Sequence, residues 1–387
     1  MSSFLSFNNF KKRLPVTVTA DDDEFDEEFL DHLREEGFDV TYLPFDPTNS
    51  QPTTTHRTHL ASDLELGETH AIIAFAQAAT TCLSLALKPQ PKLCALICYY
   101  PHTLPSPKAS YPSQLEVLVH LAGDQPFAPA SVKSYRYEHA LVGFAEHDLE
   151  TYDGVAAKLA WSRTVGVLRR GFKKEVDLEG TREKYANQLF SAKSAEGVAG
   201  MMVQDSYLNC VPTMTGGIGQ RDLFIFYRDY FIPKSPPSLS IKLVSRTIGT
   251  DQVVDEMVLS FKHTQEVPWL LPGVKATNKA VHIAVVSIVA LRGAGLVHEH
   301  LYWDQASVLV QVGLLDPKLV PKPFQSQGLK RLPVSGSEAA AKVLDEESRP
   351  SNELIPDWKQ SMSKQGGQAL PQRPKQAVNG GKGAPSS

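Results

Sequence analysis

Cysteine is scarce in this chain: four residues in 387, Cys82, Cys94, Cys98 and Cys210. They sit among apolar neighbours without the paired spacing of a zinc or dithiol motif. That excludes a disulfide framework and fits a reducing, intracellular setting. A dominant charge of one sign is also lacking. The net charge of −4 gives no basic field to attract nucleic acid or anionic lipid. Long apolar runs are missing too: the longest, Val281 to Leu291, contains His282 and is too short to cross a bilayer. Met1 to Phe10 is short and mixed, and the basic residues Lys11, Lys12 and Arg13 follow it, which is not the order of a signal peptide. No internal repeat, cofactor fingerprint or complete metal-ligand set is visible. The expectation is a cytoplasmic protein with no nucleic-acid partner, no membrane partner, no cofactor and no metal.

With 42% hydrophobic and 21% charged residues, the composition is that of an ordinary globular protein, and the length suggests two domains. After an arm at 1–13, residues 14–173 alternate strand and helix signals. Strands are predicted at Val16 to Ala20, Asp39 to Pro44, His70 to Phe75, Leu93 to Tyr99 and Leu115 to Leu121. Acidic residues Asp21 to Glu24 open a helix through Arg34. Further helices are expected near His59 to Leu66, Ala79 to Leu87 and Tyr152 to Phe172. Continuous apolar strands separated by helices predict an α/β unit with a mostly parallel sheet.

Residues 180–317 have a different pattern. Helices (Glu183 to Phe190, Ala195 to Gln204, Arg221 to Phe231) precede long strands at Ser238 to Thr247, Gln252 to Thr264, Ala280 to Leu291 and Leu296 to Trp303. This predicts an α+β domain built on an antiparallel meander. The strand from Gln252 alternates, with Val253, Asp255, Met257, Leu259, Phe261 and His263 on one face, as expected of a lined cavity. Residues 318–387 are rich in Lys, Gln, Ser, Pro and Gly and read as mostly disordered. Helix-like spacing there is confined to Ser337 to Glu347.

Polar, titratable residues concentrate at His298-Glu299-His300-Leu301-Tyr302-Trp303-Asp304. On a strand, His298, His300, Tyr302 and Asp304 share one face, and Val297, Glu299, Leu301 and Trp303 share the other. The alternation leaves open which face lines a cavity. Asp304 also stands where it would cap the following helix. His-x-His can bring two imidazoles together for a metal, but no third and fourth ligands accompany it. The aromatic set Phe224, Tyr227 and Phe231 has helical spacing and reads most simply as core.

Two resemblances bear on function. The helix Tyr152-Asp153-Gly154-Val155-Ala156-Ala157-Lys158-Leu159-Ala160-Trp161 and the step Tyr99-Tyr100-Pro101 resemble the dienelactone hydrolase family, over residues 14–173. The resemblance implies a short α/β-hydrolase fold with a Cys-His-Asp triad. Ala76 stands where the nucleophile belongs, and Val142-Gly143-Phe144 replaces the His-Gly-Phe step. Asp124 alone survives near its place. Residual ester or lactone hydrolysis would need Cys82 and His139 to stand in, so the domain reads as a scaffold that has lost its chemistry.

Residues 180–317 resemble the SnoaL-like polyketide cyclases of the nuclear transport factor 2-like superfamily. The residues that carry this are Leu223 to Phe231, the strand end Phe261-Lys262-His263-Thr264 with Leu271 to Lys279 after it, and Glu299 to Leu315. The resemblance implies a cone-shaped α+β domain around a ligand cavity. It also implies acid–base isomerisation, cyclisation or dehydration of a carbonyl-containing metabolite. Asp304 matches the catalytic position, with His300, His298 and His263 in support. Tyr302, Asp255, Tyr227 and Trp269 are the expected substrate contacts, and the expected partner is a hydrophobic small molecule. The alternative is a non-catalytic scaffold, ligand sensor or homodimer formed through the cone sheet.

Overall fold

The computed structural model describes residues 13–45, 64–126 and 132–358. All but Arg13 of the N-terminal arm, most of the helix expected near residue 59 and the end of the tail lie outside the described residues. The first unit holds strands β1 (Pro15–Thr19), β2 (Asp39–Tyr42), β3 (His70–Phe75), β4 (Leu93–Tyr99), β5 (Glu116–Ala122) and β6 (Ser134–Tyr137), with helices α1 (Glu27–Glu35), α2 (Ala76–Leu85) and α3 (Gly154–Phe172). All pairings are parallel, in the order β2-β1-β3-β4-β5-β6. Strands β3 and β4 are buried along their whole length because helices cover both faces. Phe29 and Leu33 of α1 and Val167 and Leu168 of α3 share one core; Ala78, Cys82 and Leu83 of α2 belong to the other. The acidic run does not open α1: Asp26 does, accepting from the Phe29 amide at 3.2 Å.

The second unit begins with α4 (Leu178–Asn187), which runs into a π-helical turn at Gln188–Ala192, and α5 (Ala195–Ala199). Strands β7 (Met202–Cys210) and β8 (Thr215–Ile218) follow, then α6 (Gln220–Ile225) and a second π-helical turn, Phe226–Phe231. The meander comprises β9 (Ser240–Ile248), β10 (Gln252–Lys262), β11 (Ala280–Arg292) and β12 (Gly295–Trp303), and α7 (Gln305–Val312) closes it. The sheet order is β8-β7-β12-β11-β10-β9, antiparallel except where β7 joins β12. Irregularities at Glu256/Met257 and Ala290/Leu291 interrupt the register, as expected of a sheet that bends around helices. Tyr185, Leu189, Tyr227 and Phe231 pack with the inward residues of β10, β11 and β12 in one core.

Three expectations are corrected. The helix expected at Ala195 to Gln204 ends after Ala199, and Gln204 belongs to β7, which the sequence reading missed with β8 and β6. Within its described residues, 318–358, the tail carries regular structure. Helices α8 (Lys322–Gln325) and α9 (Glu338–Leu344) form there, and α9 lies against β10 and β11. Its few apolar residues are used efficiently: Ala340 is 1% exposed and Val320 is 5% exposed. Among the described residues no helix is long and apolar enough to cross a membrane.

The two units are joined by specific polar contacts. Ser162 donates to Asp251 at 2.8 Å, and Arg169 binds both Glu36 and the Thr250 carbonyl. Arg292, at the end of β11, bridges Glu35 of α1 and Asp205 of β7. Gly293 turns the chain at φ +59°, and a Cβ there would overlap the Glu35 carbonyl. Only glycine lets the two backbones approach so closely.

Candidate functional site

The alternation on β12 places the acid that the sequence reading passed over, not the histidines, inside the second unit. Glu299, Leu301 and Trp303 are buried, whereas His298 and His300 are partly exposed and Tyr302 is 41% exposed. His298 lines a cleft of about 160 Å³ between the units, together with Lys158 and Trp161. Burial first, then the charges of His300 and Lys158, pull its pKa down to about 4. His300 is shifted the same way by burial and Lys158; its ring meets Tyr207 edge-on at 5.5 Å.

Glu299 is the centre of a hydroxyl network. Tyr185 donates to its Oε2 at 2.6 Å and Ser287 to its Oε1 at 2.7 Å. The Tyr185 and Tyr227 hydroxyls are 2.7 Å apart. Since Tyr185 has given its one proton to Glu299, Tyr227 must be the donor to Tyr185. Burial, with the Glu299 charge behind it, holds both phenols well above their usual range, so both stay protonated donors. Among the described residues no cation lies within ion-pair distance of Glu299. The carboxylate is thus held by hydroxyls alone, with no salt bridge.

Beside it, α4 and the sheet build a buried ionic cluster. Register aligns Arg246 with Asp255 and Asp255 with Ser287 across β9, β10 and β11. Arg246 grips Asp255 with two hydrogen bonds of 2.6 and 3.1 Å, and Arg182 Nε lies 3.1 Å from its Oδ2. Arg182 and Tyr185 are three apart on α4 and so project together. Arg182 Nη1 is buried with no hydrogen-bond partner among the described residues. An unmet donor of this kind costs about 1–3 kcal/mol unless something fills its place.

Two cavities meet at this cluster. The outer one, about 500 Å³, is bounded by Arg182, Arg246 and Asp255 and by apolar residues including Phe190, Leu239 and Ile241. The inner one, about 30 Å³, is reached by Arg182, Tyr185, Tyr227, Glu299 and Trp269. The inner volume holds one water or one polar group. Arg182, Leu189, Phe190, Leu239, Ile241 and Met257 line both. Leu189 and Phe190 lie in the π-helical turn, a distortion frequent at functional sites, and Met257 is an adaptable side chain.

The remaining expected site residues divide by this geometry. Tyr227, Asp255 and Trp269 belong to it; Trp269 packs edge-on against Trp303 at 5.8 Å. Asp304 does not. Its Oδ1 accepts from the Ala306 amide at 3.0 Å as the N-cap of α7, and it is exposed and outside these cavities. His263 is buried apart from them, its Nδ1 3.0 Å from the Thr277 hydroxyl, and burial lowers its pKa. Tyr302 faces outward. The outer sheet face expected to form a dimer surface is covered at one place by the first unit and at another by α9. Glu299, Arg182, Tyr185 and Ser287 of this cluster were not among the expected site residues. Glu299 had a signal: it is the one charge on a face otherwise made of Val297, Leu301 and Trp303.

In the first unit an alanine, not a nucleophile, occupies the strand-to-helix turn. Ala76 has φ +49° between β3 and α2. This left-handed turn from strand to helix is the local geometry that presents a catalytic side chain in hydrolases. The next two amides, which would face an oxyanion, are held by the Asp21 carboxylate at 3.1 and 3.0 Å. Cys82 is buried, while Asp124 and His139 are exposed.

No protein-family model matches the chain and no curated protein matches it significantly. Among solved structures it is similar to a protein with a ketosteroid isomerase-like fold from Catenulispora acidiphila, in complex with trimethylamine. The identity is 13% and the TM-score 0.28, over 36% of this chain and 97% of that one. A protein described as a SnoaL-like polyketide cyclase from Shewanella putrefaciens is 14% identical, with a TM-score of 0.31, over 40% of this chain and 94% of its own. An NTF2-like protein of unknown function from Burkholderia pseudomallei is 12% identical, with a TM-score of 0.29, over 36% of this chain and 98% of its own.

Proposed function

We propose that the second unit, about residues 180–317, binds a small, largely apolar carbonyl compound and moves a proton on it with Glu299. The observation that carries this is a buried carboxylate served only by hydroxyls, lining a 30 Å³ void together with Arg182, whose Nη1 has no hydrogen-bond partner among the described residues. The apolar body of the ligand occupies the outer cavity and its oxygen enters the inner one. Arg182 Nη1 donates to that oxygen and stabilises the enolate formed when Glu299 removes the neighbouring proton. Returning the proton at another carbon gives isomerisation; attack by the enolate carbon on a second carbonyl gives cyclisation. Tyr185 and Ser287 position Glu299, and Tyr227 positions Tyr185. This keeps the acid–base reading of the sequence and moves it from Asp304 to the opposite face of the strand.

The first unit, about residues 14–173, is proposed as a scaffold derived from a dienelactone hydrolase-like domain. The parallel sheet and the turn at Ala76 support that ancestry, and the amides taken by Asp21 argue against residual hydrolysis.

The test uses the full chain and a panel of apolar 1,3-dicarbonyl and α,β-unsaturated ketone compounds. At least one should raise Tm and exchange its α-hydrogens for deuterium, and Glu299→Gln should slow that exchange at least about a hundredfold. Binding without exchange would leave a ligand-sensing module. Exchange at an undiminished rate in Glu299→Gln, or no compound binding at all, would sink the proposal.

A further inference from the structure

A second cluster lies at the junction of the units, outside the cone. Glu28 and His32 stand one turn apart on α1, and His147 reaches them from the segment between β6 and α3. Glu28 Oε1 is 3.5 Å from His147 Nε2 and 3.8 Å from His32 Nε2, and the three ligand atoms all lie within 4.8 Å of one another. Tetrahedral ligands about 2.1 Å from zinc are roughly 3.4 Å apart. Two of the three separations are therefore near coordination spacing already. The third, between the two imidazoles, lies within 4.8 Å and closes by a small rotation of His32.

The fixed partner is His147. Its Nδ1 lies 2.7 Å from Asp26 Oδ2, and its backbone amide donates to the same oxygen at 2.7 Å. With Nδ1 engaged by this carboxylate, Nε2 is the ring nitrogen turned toward Glu28. A carboxylate behind a histidine in this way orients metal ligands and raises their basicity. Asp26 is itself 4% exposed and held by the Phe29 amide, so the arrangement is rigid. The surrounding charge favours a cation. Arg292 beside the cluster is already shared between Glu35 and Asp205, and Asp26, Glu28, Asp205 and Asp251 outnumber the cleft's two cations, Arg292 and Lys158.

The geometry points to a divalent transition-metal site, of the zinc class, formed by Glu28, His32 and His147 with Asp26 behind His147. Two imidazoles and a carboxylate suit zinc over the oxygen-seeking calcium and magnesium. The cleft beside the cluster leaves a position for water or an anionic group. A metal there would tie α1 to the segment carrying His147 next to the Arg292 bridge, stiffening the junction.

Untagged full-length protein, stripped with chelator, is titrated with Zn²⁺ by calorimetry and with Co²⁺ by visible absorption. One equivalent should bind, with the ligand-field bands of a low-coordinate nitrogen and oxygen site. Glu28→Gln and His32→Asn should each weaken binding at least tenfold. Asp26→Asn, which keeps the helix cap, should weaken it about 10–100-fold. His298→Asn should leave it within twofold. Glu28 is exposed on a helix, so its variant stays folded and decides the matter if the others do not. No saturable binding, or titrations of Glu28→Gln and His32→Asn that match the unaltered chain, would overturn the assignment.

Discussion

Tyr185 donates to Glu299 at 2.6 Å in a site where both groups are almost fully buried. The bond fixes the direction of every other proton in the network. Tyr185→Phe leaves the Tyr227 hydroxyl without its acceptor and Glu299 with Ser287 alone. It should cost about 1–3 kcal/mol in urea unfolding. Any proton exchange on a bound ligand should fall with it, because Glu299 then loses its orientation. A variant with unchanged stability would mean that water replaces the lost hydroxyl.

Asp255 holds Arg182 and Arg246 at once. Removing one partner of a buried ion pair leaves the others unpaired, and Asp255→Ala should lose about 3–5 kcal/mol. Replacing all three with apolar residues of similar volume should restore much of that stability while abolishing ligand binding. Chemical denaturation of the single and triple variants makes the comparison.

Asp304 follows β12 as the N-cap of α7 and lies outside the cavities. As a helix cap, Asp304→Asn should be nearly neutral and Asp304→Ala should cost about 1 kcal/mol. Neither should alter ligand binding or exchange in the cone. A large loss of exchange in Asp304→Asn with full stability would return catalysis to that residue.

Acid sensitivity should come in part from His298. Its folded pKa of about 4 lies below the ordinary histidine value near 6.5, so between these values the unfolded chain binds more protons. Stability therefore rises with pH through that window and is fully present above it. His298→Gln should flatten the dependence of Tm between pH 4 and 6.5 and leave Tm at pH 8 little changed.

Gly293 tests the junction. Gly293→Ala forces a Cβ against the Glu35 carbonyl, so the Arg292 bridge should loosen and limited proteolysis between the units should accelerate. Unchanged proteolysis would place little strain at that contact.

Much of the architecture was legible in the sequence. Strands His70–Phe75 and Leu93–Tyr99 announce themselves as continuous apolar runs, and the inward face from Val253 to His263 follows from simple alternation. Alternation gives two faces but not which is inside, so the stripe from His298 to Asp304 could be located but not oriented. Polarity pointed the wrong way, because the Glu299 carboxylate is hydrogen-bonded by hydroxyls from α4 and β11 that no local pattern links to it. Strand β7 was hidden for a related reason. Its residues Gln204 and Asp205 lie on the exposed side, and its pairing with β12 spans nearly a hundred positions of sequence. Composition also misjudged residues 318–358, where a handful of small apolar contacts on an existing sheet is enough to order the chain.

The Asp21 carboxylate seated on the amides of Gln77 and Ala78 pins the left-handed start of α2 to the segment that leaves β1. One side chain therefore fastens two neighbouring crossovers of the parallel sheet at the same edge. Removing it would strip two amides of their acceptor at once.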